Sequence, residues 1–168
     1  MARISRSSIL QWVVIAILLT ALPGAVHTII QTRDPYLFTH QFFEDIIARL
    51  SGPGRFRFIL QPVVAIFLGS RDGMKDARRD HAPFLWTLLF HRDRRSDAFQ
   101  SAINSLRNLI ALSILMDVVS QILIFRQVRP GAALLVGPVL IGVPYSLARA
   151  FTNRLTRLKG RRSEMRAS

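Results

Sequence analysis

The stretch ILQWVVIAILLTALPGAVHTII, residues 9–30, holds no acidic or basic residue other than His27. Its length exceeds the roughly 20 residues that a helix needs to cross the hydrocarbon of a bilayer. Arg3 and Arg6 precede it, and the small residues of PGA at 23–25 would also suit a cleaved signal peptide. Three later apolar stretches favour an uncut first span. They are FRFILQPVVAIFLGS (56–70), LIALSILMDVVSQILIF (109–125) and AALLVGPVLIGVPYSLARAF (132–151).

Composition agrees with this segregation. Half of the 168 residues are hydrophobic, yet the formal net charge is +13, a pairing that soluble domains rarely show. With four crossings and the N-terminus in the cytoplasm, 17 of the 23 basic residues fall inside and six outside, as the positive-inside rule expects. Were 56–70 not to cross, the eight basic residues between Arg71 and Arg107 would change sides. The expected fold is therefore all-α: a single membrane domain over 1–168, a four-helix bundle with spans at about 9–30, 56–70, 106–125 and 132–151. The 56–70 stretch is the shortest, and a snorkelling Arg57 would anchor its outer end.

Short interfacial helices complete the expectation. YLFTHQFFEDIIARL (36–50) places Phe43, Ile46, Ile47 and Leu50 at helical spacing, with His40, Glu44, Asp45 and Arg49 on the other side. It reads as an amphipathic helix on the outer surface. On the inner side, a cytoplasmic loop over 71–105 contains APFLWTLLF (82–90), where Pro83 suits a helix start and Trp86 the headgroup region. The tail, 152–168, is basic and cytoplasmic. Arg71, Lys75, Arg78 and Arg79 in the loop, with Arg154, Arg157, Arg161 and Arg162 in the tail, are the expected contacts for anionic headgroups. That explanation of the charge displaces a nucleic-acid partner. The absence of cysteine excludes disulfides, thiolate metal sites and cysteine nucleophiles.

Asp117 is the one carboxylate inside an expected span, where an acid costs about 3 kcal/mol near the bilayer centre. Ser113, Asp117, Ser120 and Gln121 form one polar stripe that should face the bundle. By depth, Gln61 and His27 are the expected partners. Such a cluster can be a proton or cation site, or a hydrogen-bonded acid that locks the helices. No second intramembrane charge completes a relay, which favours the lock. In 132–151, Ala133 with Gly137, and Gly142 with Ser146 and Ala150, give smooth strips for close helix approach.

The segment GSRDGMKDARRDH (69–81) spaces Asp72, Asp76 and Asp80 four apart, on one helical face. Within it, DGMKDAR resembles the first half of the CDP-alcohol phosphotransferase motif, whose aspartates hold a divalent metal against a diphosphate. Asp72, Gly73, Ala77 and Arg78 carry that resemblance. Three residues separate the Asp-Gly and Ala-Arg pairs where the family has two, and no glycine follows until Gly131. The second half is thus missing, and no catalytic or metal-binding residue is assigned. The bland expectation is that Lys75 and Arg79 neutralise Asp72 and Asp76; Gly73 leaves open a turn. The wider run LQP, GSRDGMKDAR and PFLW (60–86) resembles small bacterial multi-span inner-membrane proteins with no assigned activity.

The reading is a non-enzymatic accessory, assembly or scaffold subunit of a bacterial inner membrane. It is multi-pass with both termini cytoplasmic, needs no cofactor, and works as a homo-oligomer or with another membrane protein. The alternatives are a small oligomeric transporter or channel around Asp117, and a lipid-headgroup-modifying enzyme using Asp72, Asp76 and Asp80.

Overall fold

The computed structural model describes residues 6–32 and 36–167. Among these, every regular element is a helix: α1 Arg6–Thr32, α2 His40–Ser51, α3 Arg57–Arg78, α4 Phe84–Phe90, α5 Arg92–Phe125 and α6 Pro130–Ala167. The all-α expectation is met. Among the described residues, three helices are long and apolar enough to cross a membrane: α1 through Ile9–His27, α5, and α6 through Pro130–Gly160.

α3 does not join them on length and composition. Its apolar run, 58–70, is closed by Arg57 and Arg71 and covers about 20 Å at the helical rise, against roughly 30 Å of hydrocarbon. Helix formation itself needs no such apolarity, so several elements extend beyond the expected spans. Most of the expected 71–105 loop is helical, because α3 continues to Arg78 and α5 begins at Arg92. Gly73 lies inside α3 and makes no turn. α2 begins later than 36 because Thr39 caps it, its Oγ1 accepting from the Phe42 amide at 3.3 Å.

The chain forms two compact units. The first comprises residues up to Ile59 and Asn108–Val139. Its apolar core joins Val14 of α1 to Ala111, Ile114 and Val118 of α5 and Ala133 of α6. The Ala133–Gly137 strip faces α5 closely: a Cβ at Gly137 would lie 3.0 Å from Ser113 Oγ and 3.2 Å from the Ile114 amide nitrogen, a tight fit that glycine relieves.

Around this core the first unit buries charge and exposes apolar side chains. α2 turns Phe42, Asp45 and Arg49 inward, while Phe43 and Ile47 are 54% and 66% exposed. Its amphipathic pattern is real, but Asp45 and Arg49 of the polar face pack with Phe42, while His40 and Glu44 stay exposed. Gly54, at φ +81, supplies the left-handed turn that leads from α2 to α3.

The second unit comprises Leu60–Arg107 and residues from Leu140 onward. Here α3 and α6 run in the same direction. A Cβ at Gly69 would overlap the Tyr145 carbonyl, and one at Gly73 the Arg149 carbonyl, four residues further along each helix. Ala65, Gly69 and Gly73 thus form a buried small-residue strip on α3. By contrast, a Cβ at Gly142 would meet nothing within 4 Å, so the second strip of α6 is not packed at its start. α4 closes the unit with Phe84, whose ring stands edge-on to Tyr145 at 6.3 Å.

Candidate functional site

In the first unit, Asp117 is fully buried and carries the densest polar cluster. Arg57 Nη2 donates to Asp117 Oδ1 at 2.6 Å, and Gln121 Nε2 donates to Oδ2 at 2.7 Å. Arg49 Nη1 lies 3.7 Å from Oδ1. Two guanidinium ions therefore face one carboxylate, leaving an excess positive charge in the interior. All three guanidinium nitrogens of Arg49 lack a hydrogen-bond acceptor among the described residues, although the side chain is 1% exposed. The ring of Phe125, 5.7 Å from its guanidinium carbon, offers a weaker cation–π contact.

Gln121 extends the cluster to the turn after α5, because its Oε1 accepts from the Arg129 amide at 2.6 Å. Arg129 in turn pairs with Asp45 of α2 and stacks over Tyr36, 3.9 Å from the ring centroid. The Tyr36 hydroxyl donates to the same Asp45 carboxylate. Burial, followed by that bond to a carboxylate, pushes the Tyr36 phenol up to about 12. These links connect α2, the start of α3, α5 and the start of α6. Arg57 is thus no snorkelling anchor. Its charge turns inward because Asp117, a full ion-pair partner, is at hand.

Within the second unit the three spaced aspartates are divided among side chains of α6. Tyr145 donates to Asp72 at 2.9 Å. Arg149 grips Asp76 in a forked pair, with Nε at 2.7 Å and Nη2 at 3.1 Å, and Arg157 reaches Asp80 at 3.0 Å. Arg149 also lies over the Phe84 ring at 4.6 Å. Lys75 pairs with Asp72 as expected, at 3.3 Å. Asp76, expected to pair with Arg79, is taken by Arg149 instead, since a forked guanidinium contact made inside the unit surpasses an exposed pair along one helix. Burial alone would raise the Asp72 carboxyl; bonds from Tyr145, Ser105 and Lys75 outweigh it and hold the group below its ordinary value. Beyond this pair of helices, the His81 carbonyl accepts from Asn153 at 3.2 Å and Arg157 at 2.6 Å.

The expected intramembrane cluster is therefore partly assembled. Ser113, Asp117 and Gln121 are buried together on α5, with Ser120. Gln61 is buried but belongs to the second unit, and His27 lies on an exposed part of α1. Of the expected headgroup contacts, Arg71, Lys75, Arg78, Arg79 and Arg154 are exposed, Lys75 also pairing with Asp72, and the half-buried Arg157 pairs with the exposed Asp80. The side chains of Arg161 and Arg162 lie outside the described ones. No group of three His, Asp or Glu side chains that could hold a metal occurs among the described residues.

Arg49, Arg57, Tyr145 and Arg149 are the polar residues that sequence reasoning missed. Their partners stand 60 or more positions away. One signal was present: the Gly69-to-Gly73 spacing marks where α6 could come close enough to place Tyr145 and Arg149 beside the aspartates. No family model, curated protein or solved structure matches the chain.

Proposed function

We propose that the chain is a four-crossing protein of a bacterial inner membrane, both termini cytoplasmic, working as a non-enzymatic accessory, assembly or scaffold subunit. One observation carries this reading. The first unit buries Asp45, Arg49, Arg57, Asp117 and Gln121 while exposing Trp12, Leu19, Phe43, Ile47 and Ile59, a pattern suited to lipid rather than water outside.

The fourth crossing is supported by α3 itself. It accompanies α6, a helix able to cross, in the same direction through the second unit, and its one basic residue at the start is neutralised by Asp117. The accessory role is supported by the state of the carboxylates. Asp45, Asp76 and Asp117 are all held by arginine, so they serve as clamps within each unit and leave the outward apolar faces and the exposed arginines to meet lipid, anionic headgroups and partner helices. Reporter fusions at residues 40, 80, 128 and 168 test the topology: an external 80 overturns the fourth crossing. Native-state mass measurement in mild detergent tests the role, which a strictly monomeric protein that co-purifies with nothing overturns.

A small oligomeric transporter or channel is the second reading. It is favoured by Arg49, a buried cation with no hydrogen-bond acceptor among the described residues, beside an already paired Asp117. Flux into liposomes that is unchanged by Asp117→Asn removes it.

A further inference from the structure

The first unit contains a cavity of about 990 Å³, at the upper end of the roughly 300–1,000 Å³ of small-molecule sites. Its walls differ in chemistry. On one side α1 presents Ile17, Ala21, Gly24 and Ala25, small or apolar residues spaced along one face of the helix. On the other stand donors: Arg129, His40, Gln41 and Gln127. Among the described residues no carboxylate lines the cavity, although Glu44 pairs with the lining His40 at 3.3 Å. The Asp45 carboxylate is turned to Arg129 and Tyr36. Gly24 contributes open volume, since a Cβ there would meet nothing within 4 Å.

We infer that this cavity binds an anionic amphiphile, its tail along α1 and its phosphate among Arg129, His40, Gln41 and Gln127. A long apolar wall selects a chain. The head end selects a negatively charged group over a zwitterionic one through Arg129, whose guanidinium keeps hydrogens beyond the one given to Asp45, with Gln41 and Gln127 as neutral donors beside it. The site is distinct from the exposed arginines of the second unit. It depends on the proposed membrane location only for the supply of lipid, and the cavity is formed by the first unit alone.

The test uses the full-length protein, delipidated in a mild neutral detergent, with native mass spectrometry as the readout. Dilauroyl phosphatidylglycerol, dilauroyl phosphatidylcholine and inorganic phosphate are offered separately and in competition. The expected result is one phosphatidylglycerol per chain, retained at least tenfold better than phosphatidylcholine and not displaced by phosphate. Gly24→Trp fills the cavity and should lower that retention tenfold or more with helix content and thermal midpoint unchanged; Gly142→Trp, also placed in open space, should leave it intact. If Gly24→Trp loses helix content, Gly24→Leu takes its place. Equal retention of the two lipids, displacement by phosphate, or full retention by the filled variant overturns the inference. The outcome is independent of the fusion topology, so either can fail alone.

Discussion

Gly73 of α3 lies against the backbone of Arg149 on α6 so closely that a Cβ at 73 would overlap the Arg149 carbonyl oxygen and sit 3.1 Å from its carbonyl carbon and Cα. The same residue whose presence in a helix is intrinsically unfavourable is therefore required by packing. The approach also brings the Arg149 fork onto Asp76, three residues further along α3.

From that contact, Gly73→Ala should destabilise by about 1–3 kcal/mol, the usual range for forcing extra volume into a packed interior. Gly142→Ala should be neutral or stabilising by up to about 1 kcal/mol, because the new methyl meets nothing and helix propensity rises. Thermal unfolding of both variants in the same detergent makes the comparison. Equal effects would refute the assignment of Gly73 as the contact point.

Asp117→Asn should cost about 3–5 kcal/mol, since it leaves Arg57 and Arg49 buried without a counter-ion. Replacing the whole group by apolar residues, Asp117→Leu with Arg49→Met and Arg57→Met, should recover most of the loss. Denaturant titration of secondary structure reads both. A triple variant as unstable as the single one would show that the cluster contributes attraction beyond mutual neutralisation.

The lowered Asp72 carboxyl makes stability depend on pH in a definite direction. A depressed folded value adds stability that is fully present above the ordinary carboxylate value, near 3.8, and is lost as pH falls through the lower folded value. The stability difference between the parent and Asp72→Asn should therefore be constant near neutrality and shrink below about pH 4. A difference that does not vary across this window contradicts the bonds from Tyr145, Ser105 and Lys75.

Tyr36 and Tyr145 are the two tyrosines of the chain. In a Tyr145→Phe background, phenolate absorbance should report Tyr36 alone, titrating near 12 rather than near 10. The raised value contributes stability present below about pH 10 and lost as pH rises toward 12. Asp45→Asn should bring the titration down, because the bond to a carboxylate is one cause of the rise.

The helices long and apolar enough to cross a membrane were legible where a single property repeats along consecutive residues, as in 9–30 or the polar stripe from Ser113 to Gln121. Pairings across the fold were not. Asp72, Asp76 and Asp80 drew attention as a possible metal face, with Lys75 and Arg79 as local partners, because residues three and four apart are the only neighbours a lone helix reveals. Their main partners on α6 depend on a helix-to-helix distance, and that distance is set by Gly69 and Gly73. The inward turn of Arg49 and Arg57 was hidden for the same reason: an arginine beside an apolar run reads as a boundary until its carboxylate is located.

The Arg57–Asp117 pair has a further consequence, in the order of events during synthesis. Its members are 60 residues apart, an interval of about 3–12 s at translation rates of 5–20 residues per second. Throughout that time the emerging chain carries Arg49 and Arg57 without Asp117, the carboxylate they share inside the first unit, so α2 and the start of α3 wait for α5 before these charges can be buried. Burial of these two arginines is therefore a late step, one that a chain stalled before residue 117 cannot complete.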